Sequence, residues 1–356
     1  MKVTRWILSV GVVIATLGQA NAGQKLTENE KLLAPTVVQA SCDVGKSCSS
    51  VCDGATSCDS GICGCGAGCE SGCDSSSCDG LCGCDDGLLG LGLIKHSDKC
   101  FNDFISPMTN PVFFEDPRTL SEVRFIFLNH NLPSALGGNS VQVYAMQVRA
   151  AITERLSIIA TKDGFIYTQS PVFDSGFADI NAGLKYNLYR DVCKGRLLSI
   201  GGTFEAPTGS NKALQGNGNG ELNLFVTGGT RIGEKAHWIS ASGLRQPMDT
   251  NLENSLFYFS NHLDRQIGNR PLYAFTELNV YNYQTSGTAF GQAIEGGDLF
   301  NLGSPNISGN NLVTNAVGLK AKPRSNMETG IAYEYNLADR EGLMRDRLTV
   351  DWIIRY

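Results

Sequence analysis

The chain has 356 residues, 42% hydrophobic and only 18% charged, with 41 glycines, 13 cysteines and a formal net charge of −6. That length allows one large or two ordinary domains, and the acidic balance gives no basic footprint, so no nucleic-acid partner is expected. Beyond the first two dozen residues no segment reads as a membrane-crossing helix, which needs roughly 20 apolar residues.

Residues 1–22 read as a cleavable secretory signal. Lys2 and Arg5 precede an apolar run from Trp6 to Leu17, and Ala20-Asn21-Ala22 fits a small-residue cleavage site, so the mature chain is expected to begin at Gly23. The apolar run is too short for a retained helical anchor. Export puts the cysteines in an oxidising compartment.

Residues 23–41 form a short polar leader. Residues 42–86 hold Cys42, Cys48, Cys52, Cys58, Cys63, Cys65, Cys69, Cys73, Cys78, Cys82 and Cys84, no aromatic residue and very few aliphatic ones. Such a segment cannot bury an apolar core, so any order must come from cross-links or metal. SCDSGICGC at 57–65 returns as SCDGLCGC at 77–84. Compartment and composition favour a disulfide framework. Eleven cysteines are odd in number; Cys100 makes twelve and leaves Cys193, and a Cys100–Cys193 pair is the alternative. Two readings compete with disulfides. The CGC pairs resemble the dense spacing of metallothioneins, and eight acidic residues against one lysine would attract cations. The paired C-x₂-C pattern of a zinc site is absent, however, and no metal site or cofactor is assigned. Disorder is the other.

Residues 87–120 carry LLGLGLI at 88–94 and FISPMTNPVFFEDP at 104–117. An ordinary linker has no need of Phe104, Phe113 and Phe114. A periplasmic cap, or a plug folded into a barrel mouth, suits the segment better.

Residues 121–356 change texture completely. Runs of about ten residues with partial apolar/polar alternation are separated by turn-forming residues, the signature of a transmembrane barrel. Strands are expected near 121–130, 140–151, 155–163, 177–189, 196–206, 221–230, 237–246, 254–263, 270–283, 311–322, 326–337 and 346–356. The expected fold is therefore all-β: a transmembrane antiparallel β-barrel of about 12 strands, preceded by a small Cys-rich irregular module. A soluble β-sandwich is the alternative at the level of fold.

Period two assigns the faces. Ala178, Ile180, Ala182, Leu184, Tyr186 and Leu188 share one face of the fourth strand, and Asp179, Asn181, Gly183, Lys185 and Asn187 share the other. Charges on a barrel wall avoid lipid, where Arg or Lys near the midplane costs about 2–4 kcal/mol. Asp179, Asn181, Lys185, Glu205, Glu277, Glu328, Glu334, Arg347, Asp351 and Arg355 are therefore expected to line the lumen. That lining either selects solutes or simply fills a narrow interior. Tyr186, Tyr333, Tyr335, Trp352 and Tyr356 are expected in interfacial girdles facing lipid.

The connections predict an orientation. Tight turns around Thr153-Glu154, 191–194, 233–236, 264–269 and 323–325 alternate with longer segments at 164–176, 207–220 and 284–310, although 247–253 and 338–345 are only moderately long. Outer-membrane barrels keep turns in the periplasm and loops outside. An even strand count returns both barrel ends to the periplasm.

The terminal Trp352-Ile-Ile-Arg-Tyr356 resembles the last strand of outer-membrane barrels, with Tyr in place of the usual Phe. GFADINAGLKYNL at 176–188 resembles a strand of the phenol-degradation "MetA-pathway" transporter-like family. The resemblance spans about 120–356 and leaves the Cys-rich module uncovered. It implies a channel-like outer-membrane protein.

Catalytic signals are thin, and no enzyme is expected. Ser260 and His262 share one strand face, the pair of residue types a barrel-embedded lipase uses. Two positions on one strand lie roughly 6–7 Å apart, however, and a nucleophile and its base must be within hydrogen-bond reach. No G-x-S-x-G elbow is present. The functional expectation is a channel or transport-related barrel passing small solutes through a mixed-charge lumen, with outer-membrane lipid as its surroundings. The alternative is an envelope protein whose Cys-rich module binds a partner or metal, with the barrel as its anchor.

Overall fold

The structure is a computed structural model describing residues 93–337, 340 and 342–356. The expected signal, leader and Cys-rich module (1–86), with eleven of the cysteines, lie outside the described residues, as do 87–92.

The alternating segments form fourteen strand pieces: β1 (Glu122–Asn131), β2 (Ser140–Ala151), β3 (Leu156–Lys162), β4 (Phe165–Thr168), β5 (Gly176–Phe177), β6 (Ile180–Asp191), β7 (Arg196–Ala206), β8 (Glu221–Ile232), β9 (Ala236–Pro247), β10 (Leu256–Gln266), β11 (Leu272–Tyr283), β12 (Asn311–Arg324), β13 (Met327–Asn336) and β14 (Asp346–Arg355). Each long strand pairs antiparallel with its chain neighbours. The ring closes where β1 pairs with β2 on one side and β14 on the other, in register from Glu122↔Arg355 to Asn131↔Asp346. Closure leaves no sheet edge.

Two walls are interrupted. β3 and β4 both pair with β2, and β4 pairs with β5 as β3 pairs with β6, so the four pieces make two strands and the barrel has 12. The first break falls at Asp163-Gly164. Gly164 has φ +110°, and a Cβ there would lie 2.3 Å from the Tyr144 carbonyl oxygen. The expected third strand ended at 163, with a loop over 164–176. It instead resumes as β4, because Gly164 supplies a backbone conformation that other residues reach only with strain.

The faces follow period two. In β13, Glu328, Ala332 and Glu334 are buried while Thr329, Ile331, Tyr333 and Tyr335 are exposed. Tyr186, Tyr333, Tyr335 and Trp352 all stand on the exposed outer face. Tyr356 departs from that set: it is half-buried and stacks on His96 at 4.1 Å. Among the described residues no helix is long and apolar enough to cross a membrane.

The short turns expected after β2, β6, β8, β10 and β12 are present, and the longer connections lie at the other end. The connection 284–310 does not project outward as expected. Phe300, Leu302 and Ile307 turn inward and join Leu128, Val141, Tyr258, Tyr281 and Tyr283 in an apolar layer in the loop-end half of the interior. A loop this rich in apolar side chains lowers its free energy by burying them at about 25 cal/mol per Å².

On the inner face aromatic rings lie over glycines of the next strand. Phe275 faces Gly318 across β11 and β12, and a Cβ on Gly318 would sit 2.3 Å from the ring. Gly318→Val is therefore expected to destabilise the barrel by about 1–3 kcal/mol through overpacking, with Gly318→Ala costing less. Denaturant unfolding in detergent checks this. An unchanged midpoint for the valine variant would show that the ring moves aside freely.

Candidate functional site

The barrel interior is occupied by the chain itself. The segment before β1 enters at the turn end, where the Ser97 N–H donates to the Tyr356 carbonyl and Lys95 pairs with Ala151. It rises to about mid-height, where Asn110 Nδ2 donates to Ser260 Oγ (2.8 Å) and the Phe113 ring stacks on Tyr258 at 4.8 Å. It then returns to Ser121 and leads into β1. Phe101, Phe104, Ile105, Met108, Phe113 and Phe114 are fully or almost fully buried. The segment was expected to pack against the barrel, as a cap or at its mouth. It threads deeper, because the inward side chains supply partners for its backbone.

Those partners account for most of the charged positions read from sequence. Glu277 on β11 accepts the backbone N–H groups of Met108 (2.8 Å) and Thr109 (2.6 Å). Glu328 on β13 accepts the Ser106 N–H (3.1 Å) and pairs with Arg355 of β14 at 2.5 Å. Lys185 on β6 donates to Glu115 (2.7 Å) and to the Asp116 carbonyl. Glu115 also pairs with Arg149 of β2 at 2.6 Å, and Arg149 reaches Glu122 at 3.2 Å. Asp351 pairs with Arg124 (2.9 Å) and Lys320 (2.8 Å). A buried charge is tolerable only when paired and hydrogen-bonded, and here most of the pairs run between plug and wall or between neighbouring strands.

The remaining expected positions sit toward the loop end. Glu334 pairs with Arg347 at 2.6 Å, and Arg347 reaches Asp298 of the inward connection at 2.9 Å. Glu205 is hydrogen-bonded by Lys162. Asp179 accepts the N–H groups of Gly209 (2.8 Å) and Gly216 (2.9 Å), and Asn181 is buried with its Oδ1 unpartnered. Reading the sequence missed Arg124, Arg149, Lys320, Glu122 and the plug's own Glu115, Asp116 and Arg118. The period-two rule could have found Arg149 and Lys320; nothing local marks the plug residues.

Cys100 is half-buried in the plug, and its carbonyl accepts from Arg231 Nη2 at 2.9 Å; Cys193 is exposed on the turn between β6 and β7. Ser260 Oγ faces Asn110, while the His262 ring lies between Glu277 (2.6 Å) and Asp264 (3.2 Å). Among the described residues no hydrogen bond joins Ser260 to His262.

No protein-family model matches the chain, and no curated protein does. Solved structures with a similar course include an outer membrane channel from Pseudomonas putida F1, described as COG4313, at 10% identity and TM-score 0.49, covering 71% of this chain and 100% of that one. The NanC porin aligns at 8% identity and TM-score 0.43, covering 66% and 98%. The KdgM porin in complex with disordered oligogalacturonate aligns at 8% identity and TM-score 0.42, covering 66% and 99%.

The filled interior leaves little free space. Among the described residues, two of the cavities hold about 10 Å³ and 30 Å³, each with room for about one or two waters or a group of that size. The second is apolar and lies above the plug tip, among Val112, Ile126, Leu128 and Val143.

The plug's acids give its docking a pH dependence. Burial alone would raise the Glu115 carboxyl, but Arg149 and Lys185 outweigh it and hold the group below the usual carboxylate range. For Asp116, burial is likewise outweighed, by Arg118. A depressed folded-state value contributes stability above the unfolded value, near 4 for carboxyls, and loses it as pH falls through the folded value. Docking is therefore expected to hold at pH 7 and weaken below about pH 4. Proteolysis of 98–121 at graded pH checks this; equal protection at pH 7 and pH 3 would contradict it.

Proposed function

We propose that the protein is a transport-related channel of the outer membrane, closed by its own N-terminal plug and passing small polar solutes when the plug moves. The observation that carries this reading is the contrast between the two barrel faces. Outside, Phe125, Leu184, Leu198, Leu224, Ile331 and Trp352 stand exposed; inside, Arg, Lys, Asp and Glu line the wall. A soluble barrel has no use for a greasy exterior, and such a band fits lipid. The plug is joined to the wall mostly through side chains, so its departure would leave the strand ladder intact around a charged, wettable lumen. That lumen would bias which solutes pass.

The orientation follows the usual rule, with turns and plug entrance toward the periplasm and longer connections outside. On this proposal the Cys-rich module lies in the periplasm, its cysteines in a disulfide framework. The filled lumen also favours a second reading, in which the barrel is a sealed anchor and the module binds an envelope partner.

Reconstitution in planar bilayers separates the two. The channel reading expects discrete conductance steps, brief for the wild type and longer when the plug is weakened. A barrel folded by its heat-modifiable gel shift, yet silent both as wild type and with a weakened plug, leaves the anchor. Deleting 42–86 would then abolish envelope attachment with permeability unchanged.

A further inference from the structure

At the loop end, a cavity of about 10 Å³ is lined by Asp179, Glu205, Glu221, Glu253, Asn217 and Asn301. Glu253 belongs to the connection 248–255 between β9 and β10, and the residue is only 3% exposed. Its Oε2 has no hydrogen-bond partner. The backbone beneath leaves space for it: Gly218 has φ +64°, and a Cβ there would stand 2.0 Å from Oε2. The other acids are better matched. Asp179 is capped by backbone N–H groups, Lys162 of β3 holds Glu205 of β7, and Asn301 Nδ2 donates to Glu221 of β8. Arg245 of β9 approaches Glu221 only to 3.4 Å. Two cations among four carboxylates leave a surplus of negative charge around a space the size of one water. A buried carboxylate oxygen without a partner is costly, and the nearby Arg245 does not relieve it: its Nε and Nη2 are themselves buried without hydrogen-bond partners.

We propose that this cavity binds the primary ammonium group of a small cationic solute, with Glu253 and Glu221 as its acceptors. An ammonium brings three N–H donors and no acceptor, in a head close to the size of the water that would otherwise sit there. A metal ion fits less well, since no group of three His, Cys, Asp or Glu among the described residues is arranged to hold one. The inference deepens the transport reading by naming a substrate class, and rests on it only in treating the bound cation as cargo.

Without a ligand the strain is relieved by a proton. Burial and the neighbouring Glu221 carboxylate, with smaller contributions from the more distant Glu205 and from a hydrogen bond shared with Glu221, push the Glu253 carboxyl up to about 8, against the opposing Arg245. The cation then displaces that proton. Binding is expected to tighten about tenfold per pH unit up to about pH 8 and level off above it.

The test is calorimetric titration of the full-length protein in detergent with methylammonium chloride and 1,4-diaminobutane at pH 6, 7 and 8. Tetramethylammonium, which has no N–H, and calcium chloride are run alongside. The proposal expects saturable binding of both amines with that pH slope, no binding of tetramethylammonium, and at least a tenfold loss in Glu253→Gln. Absence of amine binding, equal binding of tetramethylammonium, or binding of calcium in place of the amines overturns it. If Glu253→Gln fails the gel-shift test of folding, the wild-type pH slope and the tetramethylammonium comparison decide. Conductance is measured separately. Amine binding without conduction would retire the transport reading and keep the site, whereas conduction without amine binding would retire the site alone.

Discussion

Glu115→Ala is expected to open the barrel. Glu115 sits in the plug and is the partner of two wall cations, Arg149 at 2.6 Å and Lys185 at 2.7 Å, all three almost fully buried. Removing one member of a buried ion pair costs about 3–5 kcal/mol, because the remaining charge is left without compensation. Here two cations lose a partner at once, although Arg149 retains Glu122 at 3.2 Å and Lys185 retains the Asp116 carbonyl. The cheapest relief is hydration, which needs the plug to leave. The strand ladder makes no use of Glu115, so the wall is expected to persist. In planar bilayers the variant should show long-lived conductance where the wild type shows brief steps, and proteases should reach 98–121. A variant as closed and as protected as the wild type would mean that the aromatic contacts of Phe101, Phe104, Phe113 and Phe114 hold the plug without the ionic hub.

Ile331→Arg is expected to be the most damaging single change on the outer face. Ile331 lies at the middle of β13, nearly half exposed, between Thr329 and Tyr333 on the same side. If that side faces lipid, a guanidinium near the bilayer midplane costs about 2–4 kcal/mol, and less toward either interface. Folding titrations in lipid vesicles measure the difference, with Ile331→Ala separating the charge from the loss of the side chain. If the outer face is solvated by water, the arginine should cost less than about 0.5 kcal/mol, as for ordinary surface substitutions. That result would remove the membrane assignment, and with it the transport proposal.

Much of the barrel was legible in the sequence because its information is local. Alternation with period two assigns each residue of a strand to one face, and so Glu328, Glu334, Arg347, Asp351 and Arg355 were placed inward before any pairing was known. Turn chemistry separated the walls, and the strand count followed. Local information failed at three places. The wall breaks at Asp163-Gly164, where glycine can serve equally as loop or as kink. The connection 284–310 looked like a loop for solvent, and its inward course depends on an apolar layer assembled from the plug, from β1, β2, β3, β4, β8, β10, β11 and β12, and from other connections. The plug has no period at all.

The sequence by itself therefore determined the strands, their faces and the ring's connectivity, since each rests on neighbours two residues apart or one turn away. Tertiary structure alone decided which buried polar and charged groups meet. Glu115 finds Lys185 and Ser106 finds Glu328 across separations of 70 and 222 residues, and such pairs form only once the wall has closed around an aperiodic segment. That closure excludes water from the interior, and exclusion of water is what turns scattered charges into an obligatory, paired network.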